Sequence, residues 1–187
     1  MSHLTQKDRR RDKRRREILG AASDVFTAFG YDLANMQAIA DSAGVTKATL
    51  YAHFGDKEQL FRAVIDHWLE ELPEPKLSCQ ATGGLRACLQ EAAGELLQQS
   101  THPAFHALTH ILRRSNRIPQ KRWRQRHRPY QAYLERALSQ SRRCNDPRQA
   151  SIQFLLLAVG SIDCNNLMAV NESRVSAAVE LFVQAYA

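Results

Sequence analysis

Four polar side chains crowd one short stretch: Lys47, Thr49, Tyr51 and His53, with Lys57 just beyond them. An ammonium, hydroxyls and an imidazole are the groups that bond phosphate oxygens and base edges. The same stretch holds no paired carboxylates for acid–base work. The chain as a whole shows no Gly-rich phosphate loop, no G-x-S-x-G elbow and no H-E-x-x-H, so an enzyme is not expected. His106 and His110 stand four apart with His102 nearby, but no local carboxylate completes a ligand set, and solvated histidines are the expectation. No metal site and no cofactor are expected.

Short helices must present those polar groups. Met36, Ile39, Ala40 and Ala43 recur at helical spacing, and Gly44 supplies a tight turn. Val45 is an apolar anchor. Thr46 can cap a second helix whose apolar side is Leu50 and Phe54. Two short helices joined by a Gly turn form a helix-turn-helix, whose second helix enters the major groove. Lys47 at its start can reach bases or phosphates, Thr49 a base or a thymine methyl. Ala48 lets the backbone come close, and Tyr51 and His53 flank it. Lys57 adds charge at the next helix start. Asn35 caps the preceding helix, either as a cap alone or also as a phosphate site.

The run Ile39-Ala40-x-x-Ala43-Gly44-Val45-x-Lys47-x-Thr49-Leu50-Tyr51-x-His53-Phe54-x-x-Lys57-x-x-Leu60 resembles the DNA-binding signature of the TetR-type transcriptional regulators. The resemblance covers residues 14–65. It implies DNA contact by Asn35, Thr46, Lys47, Ala48, Thr49, Tyr51, His53 and Lys57. It also implies a bacterial protein, a dimer formed by the last two long helices, a small-molecule effector in the C-terminal helices, and repression rather than activation.

The bulk properties fit. The chain has 187 residues, 44% apolar, enough for a real core. Its longest strongly apolar run, residues 154–162, is too short to span a bilayer, and the N-terminal stretch is charged without an apolar signal segment. A cytoplasmic location away from membranes is expected. Cys79, Cys88, Cys144 and Cys164 form no C-x-x-C pair, so free thiols are the default. The net charge of +7 is uneven. Residues 1–16 are strongly basic, either a solvated tail or an arm reaching the minor groove. Residues 113–128 hold eight basic and no acidic groups: a solvated face, an anion-attracting entrance or extra nucleic-acid contact.

The remaining pattern is helical throughout. A first helix starts near Arg9 or Asp12 and runs to Phe29, with Ile18, Leu19, Ala22, Val25, Phe26 and Phe29 on one face and Gly30 as its stop. Asp56 and Gln59 suggest a capping box for a helix that ends before Pro73. Asn145-Asp146-Pro147 and Asn171 open the last two helices. The run FLLLAVGSI lacks a polar face, which favours packing against a second copy over a monomer core. An all-α fold of about nine helices follows. Residues 1–55 would hold the three-helix DNA-binding domain with its basic arm, and 56–187 the effector-binding and dimerisation domain. Two recognition helices would demand a palindromic double-stranded operator. Candidate effector contacts are Phe105, Trp123, Tyr130, Tyr133, Phe154 and Asp163, each also readable as core or helix end. An effector-independent or architectural DNA binder is the alternative.

Overall fold

A computed structural model describes residues 6–78, 83–115, 120–159 and 170–187. The described residues form nine α-helices and no strand. They are α1 (Gln6–Leu33), α2 (Met36–Ser42), α3 (Lys47–Phe54), α4 (Lys57–Glu71), α5 (Gly84–Ser100), α6 (Pro103–Arg113), α7 (Gln120–Leu138), α8 (Pro147–Val159) and α9 (Glu172–Tyr186). None is long and apolar enough to cross a membrane.

The chain divides into two compact units, 1–71 with 107–119, and 72–106 with 120–187. This division differs from the expected one at residue 55. α4 packs on α1 and buries Leu60, Phe61, Val64 and Ile65 within the first unit.

In the first unit, Ile18, Leu19, Ala22, Val25 and Phe26 form the buried face of α1. Phe61 meets Phe26 and Tyr31 edge-on, each at 5.0 Å between ring centres. Trp68 Nε1 donates to Ser23 Oγ at 2.9 Å, tying the far end of α4 to α1. Two expectations about α1 are corrected. Phe29 is 58% exposed, because the helical geometry breaks at Gly30 (φ 73°, ψ 173°) just after it. The helix begins at Gln6, earlier than the expected Arg9 or Asp12, so most of the basic stretch lies within it. Arg and Lys are good helix formers, and an exposed Arg14–Glu17 pair at 3.1 Å follows in the third turn.

In the second unit, α5, α7, α8 and α9 close a ring of neighbours: α5 on α7, α7 on α8, α8 on α9, and α9 on α5. Leu89, Leu96, Leu134, Leu138, Val179 and Phe182 fill its middle. Asp146 caps α8 through Gln149 N at 2.9 Å, with Pro147 at the first helical position, and Asn171 caps α9 through Arg174 N at 2.9 Å. α7 ends at Leu138 and runs through Pro129, which removes one helical hydrogen bond. α8 is not buried all round within this chain: Leu156 and Leu157 are exposed.

Candidate nucleic-acid interface

The helix-turn-helix is built by local rules. Asn35 Oδ1 accepts from Ala38 N at 2.8 Å and starts α2, whose Met36, Ile39 and Ala40 are buried. Gly44, at φ 61°, turns the chain, and Val45 N returns to the Ala40 carbonyl at 3.0 Å. Thr46 Oγ1 then accepts from Thr49 N at 3.1 Å and starts α3. Leu50 and Phe54 anchor α3 in the core, with Leu50 fully buried.

That anchoring turns the opposite side outward. Lys47 and Ala48 are exposed at the N-terminal end of α3, and Tyr51 is 46% exposed one turn on. Their groups are free to meet a polyanion, and the unsatisfied N–H groups of the helix start reinforce that polarity. Thr49 is half-buried, and its hydroxyl shares a 2.8 Å hydrogen bond with the Thr46 hydroxyl. His53 is half-buried beside Phe54.

Lys57 stands apart from the other polar groups. Its ammonium donates to the carbonyls of Tyr31 (2.8 Å), Asp32 (3.2 Å) and Ala34 (2.9 Å), and it lies 4.5 Å from the Tyr31 ring centre. An ammonium has three protons, so these bonds commit them all. In this conformation Lys57 clamps the α1–α2 turn and has no donor left for a phosphate. Thr46 and Asn35 cap their helices through their side-chain oxygens, and both stay exposed.

One contact has no local signal in the sequence. The Arg15 guanidinium lies 4.5 Å from the Phe54 ring centre, which joins the basic start of α1 to the end of α3. The i-to-i spacing of 39 residues hides it, since only the fold brings the two together.

The effector candidates are dispersed in their roles. Tyr130 is fully buried. The Tyr133 hydroxyl donates to Glu91 Oε2 at 2.5 Å, and Glu91 also takes Ser78 N (2.6 Å) and Oγ (3.0 Å). Phe154 is fully buried edge-on against Phe182 at 5.3 Å, so it serves α8–α9 packing. Phe105 is half-buried. The side chain of Trp123 and the whole of Asp163 lie outside the described residues. His102 Nδ1 accepts from Ala104 N at 3.2 Å at the start of α6, while His106 and His110 are exposed. Within the basic cluster, Arg114 donates to the Ala28 carbonyl, and Arg126 pairs with Glu74 at 3.2 Å; these two are structural rather than simply solvated.

A capped two-helix unit with an outward-facing helix start, carried on an all-helical scaffold, defines a helix-turn-helix protein. Residues 18–64 match the family of bacterial regulatory proteins, tetR family. The HTH-type transcriptional activator FasR of Mycolicibacterium smegmatis is 48% identical over 62 residues, 33% of this chain and 28% of that protein. The HTH-type transcriptional regulator RutR of Escherichia coli K12 is 38% identical over 63 residues, 32% of this chain and 30% of that one. The match therefore spans under a third of these relatives' length. Over the whole chain, the fold is similar to the flavonoid-responsive regulator FrrA (TM-score 0.60, 28% identity, 94% of this chain and 97% of that one). It is similar also to NalD, the secondary repressor of the MexAB-OprM multidrug efflux pump in Pseudomonas aeruginosa (TM-score 0.67, 22% identity, 94% and 97% coverage). The chain thus carries, over residues 18–64, the helix-turn-helix of the bacterial tetR family of regulatory proteins, on a fold similar to those of solved regulators.

Proposed function

We propose that the protein is a homodimeric, cytoplasmic repressor that binds a palindromic operator in double-stranded DNA and is released by a small-molecule effector. The observation that carries it is the face of α3: Lys47, Ala48 and Tyr51 outward, Leu50 and Phe54 locked inward. Lys47 and Tyr51 make the principal contacts, with Thr49 and His53 beside them. Asn35, Thr46 and Lys57 hold the element in shape at the DNA surface. Residues 1–55 form the DNA-binding part and 56–187 the effector-binding and dimerising part.

The dimer is supported by α8 and α9. Gln153, Leu156, Leu157, Leu181, Phe182 and Tyr186, with Ala185, line an open apolar hollow of about 490 Å³. Exposed leucines gathered on two adjacent helices mark a surface that another protein covers, and a two-fold contact is the commonest solution. Repression is carried over from NalD, a secondary repressor, and response to a small molecule from the flavonoid-responsive regulator FrrA, while FasR is an activator.

Selection of bound sequences from random duplex DNA tests the reading, with a Lys47→Ala/Tyr51→Ala variant in parallel. A palindrome enriched by the wild type and lost by the variant is expected. The exposed basic residues of α1 favour one rival, an architectural binder without an effector. A steep salt dependence with no enriched sequence, surviving the double substitution, would decide for that rival.

A further inference from the structure

Among the described residues three buried side-chain nitrogen or oxygen atoms find no hydrogen-bond partner. Two of them, Arg126 Nε and the Tyr130 hydroxyl, sit one turn apart on α7. The i, i+4 spacing places both on one helix face. Tyr130 is fully buried, and the Arg126 side chain is 9% exposed. Buried polar groups nearly always have partners, and for these two neighbouring atoms the described residues of the chain supply none.

The surroundings define the atom that would partner them. Arg126 cannot swing away to satisfy itself. Its Nη1 is held by Glu74 Oε1 at 3.2 Å and its Nη2 by the Pro73 carbonyl. The remaining Nε–H only donates, so the missing atom must accept. Burial foremost, then the Glu95 carboxylate, keeps the Tyr130 phenol protonated, so it too is a donor at neutral pH. The field is not cationic: Glu74 compensates Arg126, and Glu95 acts on the same phenol. A carboxylate brought here would meet that negative charge and pay for its own desolvation.

We propose that Arg126 Nε and the Tyr130 hydroxyl form the polar end of the effector site and hold a neutral oxygen acceptor, a ketone, amide or ether, in preference to a carboxylate. This rests on the reading of residues 56–187 as the effector-binding part.

Three probes of one shape test it on the full chain: 2-acetylnaphthalene, 2-naphthoate and 2-ethylnaphthalene. Binding is measured by calorimetry on the wild type and on Tyr130→Phe, with melting of both proteins free of probe. The ketone should bind at least tenfold tighter than either other probe. Tyr130→Phe should remove most of that advantage and leave 2-ethylnaphthalene unchanged. Its probe-free melting temperature should not fall, because the hydroxyl has no bond to lose. A lowered melting temperature, a ketone affinity blind to the substitution, tightest binding of the naphthoate, or no binding of any probe would each overturn the assignment. DNA release is scored separately. Ketone binding that depends on Tyr130 but leaves DNA bound would uphold the site and sink its role as the effector switch.

Discussion

The Arg114 carbonyl lies 2.4 Å from where a side chain on Gly30 would begin. Gly30 also holds φ 73° and ψ 173°, a region only glycine occupies readily. The Arg114 guanidinium meanwhile bonds the Ala28 carbonyl, one of the last in the regular part of α1. A single residue thus kinks the helix and admits a neighbouring backbone.

Gly30→Ala is therefore expected to lose at least about 2 kcal/mol of stability, from backbone strain alone before the backbone clash is counted. Gly44→Ala is the comparison. Gly44 also has positive φ, but nothing lies within 4 Å of its added carbon, so strain of about 1 kcal/mol is all it should cost. Denaturant melts of the two variants at equal protein concentration decide it. Equal losses would mean the Arg114 contact yields easily.

Lys57 gives a second test, because a clamp and a phosphate contact fail differently. Lys57→Met should destabilise the protein by about 2 kcal/mol, through loss of charged hydrogen bonds to three carbonyls. Lys47→Ala, at an exposed position, should leave stability within about 0.5 kcal/mol and reduce the salt slope of DNA binding by about one per recognition helix. If Lys57→Met melts like the wild type and flattens the salt slope instead, the clamp is incidental.

The residues themselves explain what could be read without coordinates. Asn35, Thr46, Asp56, Asp146 and Asn171 each cap the helix they announce, because a cap is decided within three residues of chain. The buried edge formed by Leu50 and Phe54 follows from spacing alone. Lys57 was legible as a charge at a helix start but not as a clamp, since its partners lie 23 to 26 residues earlier. Phe29 has the right periodicity for the core yet is exposed, because the helical geometry breaks at Gly30, where the backbone of Arg114, 84 residues further on, approaches too closely for a side chain. The unpartnered atoms of Arg126 and Tyr130 left no mark either: aromatic spacing flags burial and says nothing of whether a hydroxyl is satisfied.

The α8–α9 surface carries a third prediction. Leu156 is 48% and Leu181 52% exposed, so neither should matter much to the fold of one chain. Leu156→Glu/Leu181→Glu should leave helicity intact and weaken self-association at least tenfold, by placing unpaired charge in an apolar contact. Sedimentation equilibrium reads this directly. A variant that stays dimeric would move the interface elsewhere, and a wild type that is monomeric at all concentrations would remove it.

Tyr130 sets the alkaline limit of stability. Burial raises its phenol well above the ordinary value of 10.0, with Glu95 adding to this and Arg126 opposing. Below pH 10 both folded and unfolded chains keep the proton, and the residue contributes nothing to pH dependence. Above pH 10 the unfolded chain releases the proton while the folded chain retains it. The unfolded state then binds fewer protons, so stability must fall as pH rises, by up to about 1.4 kcal/mol per unit until the folded phenol also ionises. Phenylalanine cannot ionise. The stability gap between Tyr130→Phe and the wild type should therefore be flat from pH 7 to 9 and open in favour of the variant from pH 10 upward. Urea melts across that range measure the gap. A gap that stays flat to pH 11 would mean that the hydroxyl reaches solvent and ionises in place, and would leave it unavailable as a buried donor.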